Sequence, residues 1–188
     1  MMKRDACLKV LARHYTDQIV VAVYQAAFEW RHIRPDALTY VAVGAMGQAS
    51  SHALGLALGR PDKQIIVLDG DGSLLMNLGT LVTVASVAPA NLVHCVCENG
   101  TYEANGAHPT PGSGQIDFAG LASAAGYDKT FTFDSLDDFD ARIDSVLTQS
   151  GPVFVDLKVE PGETYPQDYK WVHSAEVRQS FKERLRKN

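Results

Sequence analysis

The chain has 188 residues and a formal net charge of −5, with 46% apolar and 21% charged residues. Those values suit a single globular domain with a full hydrophobic core and exclude a strongly basic nucleic-acid binder. No stretch is long and apolar enough to span a bilayer, and the opening MMKRDACLKV lacks the apolar core of a signal peptide, so a cytoplasmic protein with no membrane partner is expected.

Strands are expected at 19–23 (IVVAV), 39–43 (TYVAV), 64–69 (QIIVLD), 91–97 (NLVHCVC), 127–133 (YDKTFTF) and 152–159 (PVFVDLKV). Helices are expected at Gln48–Leu58, Ser73–Val87, Ile116–Ala125, Ser135–Gln149 and His173–Arg186. Pro61 and Pro89 end the first two, because proline cannot continue the ladder. Ser135 and Asp138 have capping-box spacing. Residues 98–115 carry four glycines and two prolines and are expected to be irregular. The basic residues near the end (Arg178, Lys182, Arg184, Arg186, Lys187) are interrupted by Glu176 and Glu183 and read as a solvated helix face.

Strands alternating with helices of this length imply βαβ units. The expected fold is therefore α/β, a doubly wound parallel sheet with helices on both faces, spanning residues 1–188 as one domain. Cys95 and Cys97 point to one face of their strand and suit buried structural thiols better than half a metal site. Three cysteines make a poor disulfide set.

In such sheets ligands bind beyond the carboxyl ends of the strands. Three loops there are unusual: Gly44-Ala45-Met46-Gly47, Gly70-Asp71-Gly72-Ser73 and Glu98-Asn99-Gly100-Thr101-Tyr102. In the second loop the glycines and the helix start favour an anion, whereas Asp71 would repel a phosphate. A divalent cation reconciles the two by bridging carboxylate and phosphate oxygens, and Mg²⁺ suits that arrangement. A plain turn with Asp71 as a helix cap explains the same residues equally well. Asn99 lies at the end of the next strand, about 4.8 Å away in a parallel sheet. Its amide oxygen and the Thr101 carbonyl can complete such a site, although Asn99-Gly100 is also an ordinary turn dipeptide.

The pairing of GDGS with a downstream asparagine loop resembles the signature of thiamine-diphosphate enzymes. The stretch GAMGQASSHALGLALGRPDKQIIVLDGDGSLLMN resembles the cofactor domain of acetolactate synthase and its decarboxylase relatives. NGTYEANGAHPTPG is more similar to sulfopyruvate and phosphonopyruvate decarboxylases, including their small separate subunits. The resemblance runs from about residue 19 to 160 and is strongest at 41–77. It implies thiamine diphosphate and Mg²⁺ as cofactors. Asp71, Asn99 and Thr101 would hold the metal, Gly72 and Ser73 the diphosphate, and the Gly44 carbonyl the aminopyrimidine. Met46 would wedge between the two rings, with Gly70 and Tyr102 completing the cofactor-binding set. Gln25 is a further candidate for the diphosphate.

The chain departs from the family at three points. Glu98-Asn99 stands where Asn-Asn is frequent. The metal loop is one residue longer than the family spacing, leaving Glu98 and Asn99 as alternative ligands. GAHPT replaces GGQPT, so His108 stands where a glutamine is frequent, as a proton shuttle for the catalytic step, as an attractor of an acidic substrate, or as an ordinary loop histidine.

The family also needs a glutamate from a pyrimidine-binding domain, for which this length has no room. The resemblance therefore implies a pyrimidine-binding (alpha) partner subunit in a hetero-oligomer. Without it, an exposed apolar face including Met46 and Tyr102 would promote self-association. The expected reaction is decarboxylation of a short acidic 2-oxo acid to an aldehyde. The alternatives are an acetolactate-synthase-like carboligase subunit, a 2-oxoacid:ferredoxin oxidoreductase subunit, and a non-catalytic thiamine-diphosphate-binding module.

Overall fold

A computed structural model describes residues 1–42 and 46–187. β1 (Met2–Lys3) runs directly into α1 (Arg4–Arg13), and β2 (Ile19–Ala22) into α2 (Tyr24–Ile33). β3 (Leu38–Val41), α3 (Ala49–Gly59) and β4 (Ile65–Gly70) follow, then α4 (Asp71–Leu75), α5 (Gly79–Val87) and β5 (Leu92–Glu98). The hairpin β6 (Thr101–Tyr102) and β7 (His108–Pro109) encloses a 3₁₀ turn at Glu103–Asn105. The chain then forms α6 (Phe118–Ala125), β8 (Lys129–Phe133), α7 (Leu136–Leu147), β9 (Val153–Glu160), α8 (Tyr169–Val172) and α9 (Ala175–Lys187).

The main sheet has the order β1-β9-β5-β4-β2-β3, with β8 also on β9. All of these pairings are parallel. β5 occupies one side of β9. β8 takes the other side along Val153–Leu157, and β1 continues that side at Val159–Glu160. This register delivers the start of α1 to the carboxyl end of the sheet.

The strands are apolar on both faces, as burial beneath two helical layers requires. Val20, Leu68, Cys95 and Val155 face Leu8, Phe28, Trp30 and Phe139 from α1, α2 and α7. Val21, Val67, Val96 and Phe154 face α3, α5 and α6. Ala49, Ala53 and Ala57 repeat every four residues along α3 and are buried. Their small side chains let that helix lie close against β4. Fully burying each large apolar side chain contributes roughly 1.5–3 kcal/mol before the entropy of ordering is set against it.

The doubly wound parallel fold matches the expectation, with differences in detail. Sequence reading missed α1 and α2. Gln25, expected in a loop, sits in the first turn of α2. The helix expected at Ser73–Val87 starts at Asp71 and is broken at 76–78, where Asn77 donates from Nδ2 to Gly47 O at 3.0 Å. The last helix is present as α9, starting at Ala175 rather than His173, where Ser174 Oγ accepts from Val177 N at 3.3 Å, and the short α8 before it was not expected. Ser135 caps α7, but Asp138 accepts from Arg142 at 3.0 Å instead of closing the box. The three cysteines are free and buried.

Candidate functional site

The loops after β2, β4 and β5 meet at the carboxyl edge of the sheet around a cleft of about 470 Å³, part of it open to solvent. Its lining includes Gln25, Met46, Gly70, Asp71, Gly72, Ser73, Asn99, Thr101 and Tyr102. Gly44, in the first loop, lies outside the described residues.

The GDG loop is built by close approach. A side chain on Gly72 would place its Cβ 2.5 and 2.7 Å from the Tyr102 ring, so only glycine lets that ring lie over the loop. Gly47 has φ +84°, and a Cβ there would meet Asn77 Cβ at 2.9 Å. Its backbone is held on both sides: its N–H donates to Ser73 Oγ at 3.0 Å, and its carbonyl accepts from Asn77 Nδ2 at 3.0 Å. The Ser73 hydroxyl thus anchors the first loop while keeping its own proton to donate.

Asp71 is 2% exposed. Its Oδ1 accepts from Gly72 N at 2.9 Å, and its Oδ2 accepts from Gly100 N at 2.8 Å. The second bond joins the GDG loop to the asparagine loop. Burial pushes the Asp71 carboxyl up, and backbone donors including Gly72 and Gly100 pull it back; nearby Glu98 pushes it up further. Asn99 Oδ1 accepts from Thr101 N at 2.8 Å and from Thr101 Oγ1 at 3.1 Å, while its Nδ2 donates to Glu103 Oε2 at 3.0 Å.

Glu98 is engaged elsewhere. Its carboxylate pairs with Lys158, whose Nζ is 2.9 Å from Asp156 Oδ2, close enough for an ion pair though outside hydrogen-bond geometry. Glu98 does not line the cleft, whereas Asn99 does. Burial pushes the Asp156 carboxyl up to about 7, with Lys158 opposing. His108 is exposed on β7 opposite Tyr102, outside the cleft lining.

Three features of the site escaped sequence reading. Arg4 reaches the cleft from the start of α1 and binds Glu29 and Glu103. Buried Asp69 receives its own loop's Gly70 N–H at 2.9 Å and faces His94 Nε2 at 3.3 Å. Tyr24, on the cleft wall, has φ +39°, a strained conformation for a bulky side chain. A basic residue so near the chain start, followed by helix-forming residues, was the one available signal for the first of these.

The donors fit a hard divalent ion sharing its coordination with a ligand. A carboxylate, an amide oxygen and a backbone carbonyl offer only oxygen, the preference of Mg²⁺. Among the described residues no three His, Cys, Asp or Glu side chains converge as a protein-only cage. A metal here would need oxygens from another molecule, as diphosphate supplies.

Residues 20–157 match the family profile of the thiamine pyrophosphate enzyme C-terminal TPP binding domain. The chain is 40% identical to phosphonopyruvate decarboxylase of Streptomyces hygroscopicus over 141 residues, 75% of this chain but 35% of that protein. The chain thus spans about a third of the phosphonopyruvate decarboxylases it matches. It is 34% identical to sulfopyruvate decarboxylase subunit beta of Methanothermobacter thermautotrophicus over 163 residues, covering 86% of this chain and 84% of that one. Benzoylformate decarboxylase of Polynucleobacter necessarius superposes with a TM-score of 0.68 at 22% identity, over 87% of this chain and 34% of that one, a likeness of fold. The chain belongs to the thiamine pyrophosphate enzymes and carries their C-terminal TPP-binding domain.

Proposed function

We propose that this chain is the cofactor-binding subunit of a thiamine-diphosphate-dependent decarboxylase acting on a short acidic 2-oxo acid of the sulfopyruvate or phosphonopyruvate type. The observation that carries the reading is the junction of two strand-end loops through the 2.8 Å bond from Gly100 N to Asp71, which sets Asp71, Asn99 and Thr101 on one cleft. Similarity across most of a sulfopyruvate decarboxylase beta subunit supports the substrate class and a divided enzyme.

Asp71, Asn99 and the Thr101 carbonyl would hold Mg²⁺, with Gly72 and Ser73 donating to the diphosphate. When bound, the cofactor supplies the nucleophilic carbon and the electron sink that 2-oxo acid decarboxylation requires. Burial of Asp71 places its charge where little water competes, which strengthens its hold on a cation. Met46 presents an apolar thioether to the cleft, suited to holding flat rings in a bent arrangement. The activating glutamate is assigned to a pyrimidine-binding partner.

Recognition of an acidic substrate is assigned to the partner on electrostatic grounds. Among the described cleft residues the one cation, Arg4, is bound to two carboxylates. His108, exposed on its hairpin, is left as an outer-loop candidate for proton transfer. Among the described residues no helix is long and apolar enough to cross a membrane.

The test mixes the chain with a candidate pyrimidine-domain subunit, thiamine diphosphate and Mg²⁺. CO₂ and aldehyde are then measured with sulfopyruvate, phosphonopyruvate and pyruvate. Aldehyde from one of the acidic substrates, dependent on both chains, is expected. A condensation product formed from pyruvate would replace this reading with carboligation.

A further inference from the structure

We propose that Arg4 is a positioning residue for the metal site: it holds Glu103, and Glu103 holds the amide of Asn99 so that the carbonyl end, not the NH₂ end, faces the metal loop. The inference rests on the reading of Asp71, Asn99 and Thr101 as Mg²⁺ ligands.

The geometry is a relay through three segments. Arg4 Nε and Nη2 donate to the Glu29 carboxylate at 3.0 and 2.7 Å. Arg4 Nη1 and Nη2 donate to the Glu103 carboxylate at 2.5 and 3.2 Å. Asn99 Nδ2 donates to the same Glu103 at 3.0 Å. The Arg4 and Glu29 side chains are each 5% exposed. Both contacts are two-point, so the guanidinium plane is fixed and cannot swing. Its backbone is fixed as well, because Lys3 pairs with Glu160 on β9. The end of β1, the first turns of α2 and the turn after β6 are thereby tied together.

The two ends of an amide differ little in shape, so hydrogen bonding decides which way it points. The Glu103 Oε2 that holds Arg4 Nη1 accepts from Asn99 Nδ2 as well, and so takes the NH₂ end of Asn99. The opposite end, Oδ1, is then committed to the Thr101 side, where Thr101 N and Oγ1 also donate to it at 2.8 and 3.1 Å, and a cation shared with Asp71 would take the place of the hydroxyl. A role for Arg4 in binding a substrate anion is disfavoured by charge: one guanidinium faces two carboxylates, leaving the cluster net negative. Burial works against the Arg4 charge, but its bonds to Glu29 and Glu103 outweigh that and keep it protonated.

The test reads the Mg²⁺ concentration that half-saturates thiamine diphosphate binding, by calorimetry on the chain with its partner present. Arg4→Met with Glu29→Met replaces a buried ion pair by apolar side chains, a change proteins often tolerate. Glu103→Leu breaks the relay at its partly exposed member, so a folded variant is available if the first fails. Asp71→Ala is the control for the metal site. Each relay variant is expected to raise the half-saturating Mg²⁺ roughly 10- to 100-fold, as is usual when a partner orienting a metal ligand is lost. Its melting temperature without metal should change little, and Arg4→Lys should recover part of the affinity. An unchanged Mg²⁺ requirement in a folded relay variant, with Asp71→Ala defective, overturns the inference and leaves the metal site intact. An unchanged requirement in Asp71→Ala as well overturns the metal-site reading itself.

Discussion

Asp71→Ala separates what the carboxylate does for the fold from what it does for the ligand. Without metal, Asp71 is a nearly buried charge stabilised by two backbone donors at 2.8 and 2.9 Å. Removing it forfeits those bonds, each about 1.5–3 kcal/mol to a charged acceptor. It also removes the cost of holding a carboxylate out of water, the cause that pushes its pKa up. The two effects oppose, so the apo variant is expected to melt within a few degrees of the wild type. The ligand effect has no such offset. At 100 times Kd, thiamine diphosphate with Mg²⁺ stabilises the wild type by about 2.7 kcal/mol. For a chain of this size each kcal/mol moves Tm by about 2–4 °C, so the wild type should gain roughly 5–10 °C on adding cofactor and metal. Asp71→Ala should gain none. Calorimetric melting of both proteins, with and without the ligands, checks this. A variant that retains the cofactor-dependent rise in Tm would refute the role given to Asp71.

Met46→Ala should keep thiamine diphosphate affinity within about tenfold, roughly 1.4 kcal/mol, while lowering turnover far more, since the diphosphate contacts carry most of the binding; calorimetry and steady-state assays in the complex with the partner check the split. Burial pushes the Asp156 carboxyl up from 3.8 to about 7, so the folded state binds the extra proton and stability is expected to fall as pH rises from about 4 to 7. Asp156→Asn should flatten that fall and make the protein more stable than wild type at pH 8, by up to about 4 kcal/mol, since each tenfold difference in proton affinity is worth about 1.4 kcal/mol. Urea melts at pH 5 and pH 8 read it, and an equal loss of stability in the two proteins would count against it. Ala88 closes α5 with φ +50° at an exposed position, so Ala88→Gly should raise stability by about 0.5–1 kcal/mol and Tm by a few degrees in thermal melts.

The residues that share the cleft were legible where they are local in sequence. Gly70-Asp71-Gly72 and Asn99-Gly100 announce themselves because tight turns at strand ends need those residue types, and adjacent parallel strands must bring their ends together. The run of apolar strands likewise fixes a two-sided parallel sheet. The Arg4–Glu29–Glu103 cluster was not legible, because its members lie 25 and 99 residues apart and nothing local records their meeting. α1 has the apolar spacing of Leu8 and Leu11 but begins beside the chain start, and α2 begins without a side-chain cap at a residue of positive φ. The break at Asn77 was hidden for a related reason: it coincides with the Asn77 bond to Gly47, a tertiary contact with no local signature. The pairing of Glu98 with Lys158 was hidden too, because it follows from the register of β5 against β9.

The most direct test of the metal-site assignment is an anomalous-difference map at the manganese edge, from crystals grown with thiamine diphosphate and Mn²⁺ in place of Mg²⁺. A single strong peak is expected in the cleft, bonded to an Asp71 oxygen, Asn99 Oδ1, the Thr101 carbonyl and the diphosphate. A peak bonded to Glu98, or a bound diphosphate whose metal touches neither Asp71 nor Asn99, would contradict it.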